Sequence, residues 1–266
     1  MNLLWHEVRS MLASAVIWAV VLCALAGLYL MLFAEIARDA DTFKRIFSAY
    51  PVAIQHALGV TIDSVASLPG FYTMVLTFVT LSGAIQATNA GVSILSKESR
   101  DGTADFLYTK PVSRFGLVSA KLGAVLLVLL ATDGVYSVVS GLILAGAQTS
   151  SGVVSDPAIF VLLNLTLLAV QLMMFSLGLA VSLLFRRLRS VLPLSLGLVF
   201  GLYLVGALVN TDEAARWLSP FKYLDLKEIT AKVAFQSDSL LAAMALIAFG
   251  VVAAYVVTLR RDLHVR

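Results

Sequence analysis

Cysteine is almost absent: Cys23 is the single copy in 266 residues, and it lies inside an apolar run. That excludes an intramolecular disulfide framework and a cysteine-rich metal site. Histidine is scarce as well, with three scattered copies. Charge is the third shortage, 13% of residues against 60% hydrophobic, at a mean hydropathy of +0.93. A water-soluble domain of that balance could not cover its apolar surface, so the chain reads as an integral membrane protein. Catalytic motifs are missing too. Neither a G-x-x-x-x-G-K-[ST] phosphate loop nor a G-x-G-x-x-G turn occurs, so no ATP hydrolysis is expected from this chain alone. His6-Glu7 lacks the second histidine of a zincin helix, and there is no G-x-S-x-G elbow. The net charge of +3 and pI near 9.0 come from basic residues at the ends of apolar runs, not from one patch. They are topology signals, and no nucleic-acid partner is expected.

What is present is a series of long apolar runs, at about 11–34, 71–95, 115–147, 157–185, 191–209 and 240–259. Each is long enough to cross a bilayer, and a span with its connection takes roughly 35 to 45 residues. The expectation is an all-α protein whose single transmembrane domain, with six helices, fills residues 1–266. The first run is too long for the core of a signal peptide and reads as a retained anchor. Asp156 before Pro157 is a helix start, with the aspartate as N-cap and the proline in the first turn. Pro193 opens the fifth run in the same way.

Six spans put both termini on one side. The segments on that side carry twelve of the nineteen basic residues, and Arg186, Arg187, Arg189, Arg260 and Arg261 stand immediately at helix ends. The opposite loops carry seven basic and ten acidic residues. The positive-inside effect therefore predicts cytoplasmic termini. Residues 2–12 place Leu4, Trp5, Val8, Met11 and Leu12 at helical spacing opposite Asn2, His6, Arg9 and Ser10. Two readings fit that pattern: a separate amphipathic interfacial helix, or a simple extension of the first span.

The connection between spans two and three reads Ser96-Lys97-Glu98-Ser99-Arg100-Asp101-Gly102-Thr103-Ala104-Asp105-Phe106-Leu107-Tyr108-Thr109-Lys110-Pro111-Val112-Ser113-Arg114. Gly102 can end one helix, Thr103 can cap a short new one, Pro111 stops it and Ser113 can cap the next span. A brief helix over 103–109 would show Phe106, Leu107 and Tyr108 within a frame of Glu98, Arg100, Asp101, Asp105, Lys110 and Arg114. Apolar side chains ringed by charge suit a docking site; the alternative is a capped loop resting on lipid headgroups.

Here the sequence resembles the membrane subunits of type-2 ATP-binding-cassette exporters that work with a separately encoded ATPase. The resemblance is carried by Glu98, Gly102-Thr103, Phe106-Leu107, Pro111-Val112-Ser113-Arg114 and Lys121. It extends to the entry helix, the six spans, Ser67-Leu68-Pro69-Gly70-Phe71-Tyr72 and Leu218-Ser219-Pro220-Phe221-Lys222-Tyr223. Phe106 and Tyr108 depart from the family, which more often has aliphatic residues there. The resemblance implies a permease subunit in the cell inner (plasma) membrane, exporting a lipophilic or amphipathic substrate. It implies an ATPase partner docked on the coupling helix in the 96–114 loop, with ATP and Mg held on that partner. It also implies a second permease subunit, as homodimer or heterodimer, in contact with membrane lipid.

Several polar residues fall inside the spans. Asp133 sits about 18 Å of helix rise beyond Lys121, a depth at which an ionisable group is expensive. It reads either as part of a translocation path or subunit seam, or as a structural hydrogen bond through Thr132-Asp133. A different class of protein, an ion-coupled secondary carrier, would use Asp133 as its proton or cation site. Gln86, Asn89, Asn164 and Gln171 are candidates for interhelical hydrogen bonding or for the path. Gly197 and Gly201, and the row Gly83, Ala87 and Gly91, allow close helix approach. The resemblance favours the dimer seam for spans two and five; packing within one subunit is the alternative. Residues 210–238 are too broken by charge to cross, and suit short interfacial helices at the outer mouth.

Overall fold

The computed structural model describes residues 3–51, 54, 68–101, 113–151, 156–185, 190–208 and 215–260. Among them there is no strand. The helices are α1 (Leu3–Arg38), α2 (Ala40–Ser48), α3 (Leu68–Asp101), α4 (Arg114–Ser151), α5 (Pro157–Leu184), α6 (Leu192–Leu208), α7 (Pro220–Tyr223), α8 (Leu226–Lys232) and α9 (Ser237–Arg260), with a 3₁₀ turn at Ala215–Leu218 before α7. Five of them, α1, α3, α4, α5 and α9, are long and apolar enough to cross a membrane. The apolar α6 has 17 residues, at the short end of the spanning range.

Local chemistry sets several boundaries. The Asp156 carboxylate accepts from the Ala158 backbone N–H at 2.8 Å, and Pro157 occupies the first turn of α5. Ser113 Oγ accepts from the Gly116 N–H at 3.1 Å and caps α4. Asp225 caps α8 through the Lys227 N–H at 2.9 Å. That helix ends at Val233, whose φ of 50° is a left-handed conformation costly for a β-branched residue; its N–H reaches Ile229 O at 2.8 Å.

Burial runs opposite to hydropathy. The span in α3 has the lowest mean hydropathy, 1.3, and is 72% buried, while those of α1 and α9 reach 2.4 and 2.6 and are 17% buried. The reason is the solvent. A helix facing lipid must be apolar all round, whereas one enclosed by protein can carry Thr73, Thr77, Thr80, Gln86 and Thr88. α3 is accordingly the central helix, packed by α5 along its length and by α1, α4 and α6 around it. Leu76, Val79, Leu129, Leu167 and Met174 fill the space between them with no exposed surface.

Residues 3–12 follow the second of their two readings, an extension of the first span. No break separates residues 3–12 from the first span: α1 is one helix of 36 residues. Its expected apolar face is also divided, because Leu4 packs 3.3 Å from the Cβ position of Gly123 and Val8 is buried, while Trp5 and Leu12 are exposed. Packing against α4, and not the amphipathic stripe, sets which side turns inward, and it buries Glu7. The connection after span two has the ends its sequence predicts, since α3 continues to Asp101, next to Gly102, and α4 starts at Arg114, capped by Ser113. Glu98 and Arg100 belong to the last turns of α3. Gly102, Thr103, Phe106, Leu107, Tyr108 and Pro111 lie outside the described residues.

Candidate functional site

α3, α4 and α5 each bring one amide or carboxyl side chain to the middle of the bundle. On α3 this is Gln86, whose Nε2 donates to Thr132 Oγ1 on α4 at 3.2 Å. Thr132 in turn donates to Leu129 O within its own helix at 2.9 Å. Asp133 follows on the buried side of α4, 7% exposed, and it faces Gln171 of α5, which is fully buried. The Gln171 amide lies over Gly83, where a Cβ would come within 2.7 Å of its Nε2. Thr132 thus makes the well-aligned interhelical hydrogen bond of the Thr132-Asp133 pair, while the Gln171 amide acts on the Asp133 carboxylate across the α4–α5 contact at less than ideal hydrogen-bond geometry. Both Asp133 carboxylate oxygens, both Gln171 amide atoms, Gln86 Oε1 and Thr80 Oγ1 are buried without a hydrogen-bond partner among the described residues.

A fully bonded network lies toward the starts of α3 and α5 and the end of α4. Asn164 Nδ2 donates to Tyr72 OH at 3.3 Å and to Phe160 O at 2.8 Å, while its Oδ1 accepts from Ser137 Oγ at 3.1 Å. The Tyr72 and Tyr136 hydroxyls are 3.2 Å apart. Asn164 is thus interhelical glue. The two tyrosines were missed in the sequence, where they look like further apolar residues; a phenol inside an apolar run is the signal that could have found them.

The central cluster stands between two cavities. Toward the start of α1, a cavity of about 230 Å³ is lined by Glu7, Ser10 and Ser14 of α1, by Gln86, Asn89 and Ser93 of α3, and by apolar residues of α4. Asn89 therefore lines a cavity and does not join the central cluster. Beyond Thr80 a smaller one, about 60 Å³, lies under α7 and is lined by Thr77, Thr80, Thr166 and Tyr203. Its rim carries the Lys222–Asp225 pair at 3.7 Å. Next to that pair, burial lowers the pKa of the Lys227 ammonium, and the Asp225 charge partly opposes the shift.

The glycines divide between two jobs. Gly91 of α3 and Gly178 of α5 pack backbone to backbone, and Gly83 makes room for Gln171. The span-two row is therefore used within the subunit, contrary to the dimer-seam reading, because α5 already covers it. Gly197 and Gly201 are exposed on α6, and a Cβ at either would meet no described atom within 4 Å. Lys121 closes the base of the α3–α4 connection, its buried ammonium donating to Ile94 O at 2.8 Å. Arg114, half-buried, is the first residue of α4.

A polar centre flanked by cavities within a bundle of apolar helices is an arrangement that a transport permease can use. A family model described as ABC-2 family transporter protein matches residues 1–263, and the chain belongs to that family. It is accordingly the permease component of a type-2 ATP-binding-cassette transporter, a multi-pass membrane protein. No curated protein and no solved structure matches significantly.

Proposed function

We propose that this chain is the membrane half of an exporter, working with a second permease subunit and with a separately encoded ATPase that holds ATP and Mg. Six spans, α6 being the fifth, place both termini in the cytoplasm, and the ATPase docks on residues 96–114. The substrate is lipophilic or amphipathic. Family membership favours ATP as the energy source over an ion gradient acting on Asp133.

One observation carries the mechanism. α3 runs past its apolar span, which ends at Ser96, to Asp101 at the edge of the proposed docking segment. Lys121 ties it to α4 at that end, and Gly91 and Gly178 lock it to α5. A push on residues 103–109 by the closing ATPase pair would therefore move α3, α4 and α5 as one lever, with the polar centre on it. α6 leaves Pro193, Gly197, Phe200, Gly201, Leu204 and Leu208 exposed along one side, which supports its use as a seam with the second subunit.

The test is Leu107→Asp. A buried apolar anchor that becomes charged should lose on the order of 2 kcal/mol or more of docking free energy. The expected result is loss of co-purification with the ATPase and of ATP-dependent export, at normal expression and membrane insertion. Normal binding and export by Leu107→Asp would reject the docking assignment.

A further inference from the structure

We propose that Gln86, Asp133 and Gln171 form a binding site for a small monovalent metal cation of the sodium class, inside each subunit. The site lies at mid-membrane. Taking the spans as Gly70–Ser96, Arg114–Gly146 and Pro157–Leu184, the residues Gly83 with Gln86, Asp133 and Gln171 all fall within about one turn of the midpoints. Three helices thus bring their polar side chains to one depth, where no lipid or headgroup can satisfy them.

The composition of the cluster selects the ligand. Its unsatisfied acceptors are Gln86 Oε1, Gln171 Oε1 and both Asp133 oxygens; the one unsatisfied donor group is the Gln171 amide nitrogen. Exchanging the amide atoms of Gln171 leaves that count unchanged. Thr132 adds no free donor, because its hydroxyl bonds Leu129 O. A site with surplus oxygens and one negative charge is completed by a ligand that brings positive charge and needs oxygen contacts. Water would satisfy lone pairs without neutralising the carboxylate. A divalent ion would leave excess positive charge in low dielectric, and six to eight oxygen ligands are more than this cluster supplies. A proton on Asp133 would neutralise the charge but add only one donor to four unpaired oxygens, whereas one alkali cation balances charge and meets all of them.

The route to the site is on the same helices. Gln86 belongs to the cluster and also to the wall of the 230 Å³ cavity, whose other end holds the buried Glu7 carboxylate. That volume admits several waters, and Ser10, Ser14, Asn89 and Ser93 give them partners along the way. Lys121 does not compete for the carboxylate of Asp133, being about three turns of α4 away with its ammonium on Ile94 O.

The experiment measures thermal unfolding of the purified permease in detergent, at constant ionic strength, with sodium chloride exchanged for N-methyl-D-glucamine chloride. Sodium should raise Tm progressively, with the logarithm of its concentration once that exceeds Kd, on the order of 5 °C at about 100 times Kd. Asp133→Asn and Gln171→Met should each abolish the sodium response, and Asn164→Ala, outside the cluster, should keep it. If Asp133→Asn does not fold, Gln171→Met and sodium-23 line broadening on the wild-type protein decide the matter. An equal Tm in both salts without sodium-23 broadening, or an undiminished response in Gln171→Met, overturns the site. So does a stability that follows pH and ignores sodium, since a protonated carboxyl would then hold the cluster. No ATPase is needed, so this result stands apart from that of the docking test.

Discussion

Gly91 of α3 and Gly178 of α5 meet so closely that a Cβ on Gly178 would lie 2.7 Å from Thr88 O, and one on Gly91 would lie 3.0 Å from Leu179 N. Both obstacles are backbone atoms, which cannot rotate away as a side-chain tip can. In lipid there is no hydrophobic drive to hold these helices together, so close van der Waals contact takes its place.

Gly178→Ala should therefore force α3 and α5 apart and cost about 1–3 kcal/mol, as overpacking does elsewhere. Thermal unfolding of the purified protein checks this, with a lowered Tm expected. The substitution should also reduce ATP-driven transport by more than it reduces ATPase docking, because the lever is loosened above the docking segment.

Gly197→Leu combined with Gly201→Leu should behave in the opposite way. Neither position has a described neighbour within 4 Å, so the fold of the single subunit should keep its Tm within a few degrees. Cross-linking between copies, or between the two permeases of a heterodimer, should fall. Unchanged cross-linking would remove α6 from the seam.

Orientation can be tested with cysteines at Ser99, Ser150 and Ser237 in a background lacking Cys23. An impermeant thiol reagent applied to intact cells should label positions 150 and 237 and leave 99 unlabelled. The reasoning is the clustering of Arg186, Arg187, Arg189, Arg260 and Arg261 at span ends. Labelling at 99 would reverse the topology.

Glu98→Lys should weaken coupling less than Leu107→Asp does. It reverses one charge, and a single ion pair at a surface contributes about 0–1 kcal/mol. ATPase co-purification at rising salt concentration separates the two variants, with a shallower loss expected for Glu98→Lys than for wild type, because salt screens the introduced repulsion.

The helical class of this protein is visible in its composition, and the start of α5 in Asp156-Pro157, because capping and hydrophobic length act locally. The polar positions Gln86, Asp133 and Gln171 are equally visible as interruptions of apolar runs. Their meeting is not, since helical spacing gives each residue a face but says nothing of which helices adjoin. Gly83-Ala87-Gly91 and Gly197-Gly201 show why. The two patterns are alike in sequence, yet α5 covers the first and no described residue covers the second. Asn89 and Gln86, one turn apart, show it again, as Gln86 reaches both Thr132 and the cavity while Asn89 lines the cavity only. The sequence alone determined that these helices form and that they belong in a membrane. Which polar groups share one centre was decided by tertiary packing, because in lipid the fit of backbones at glycine, and not apolar burial, selects the neighbours.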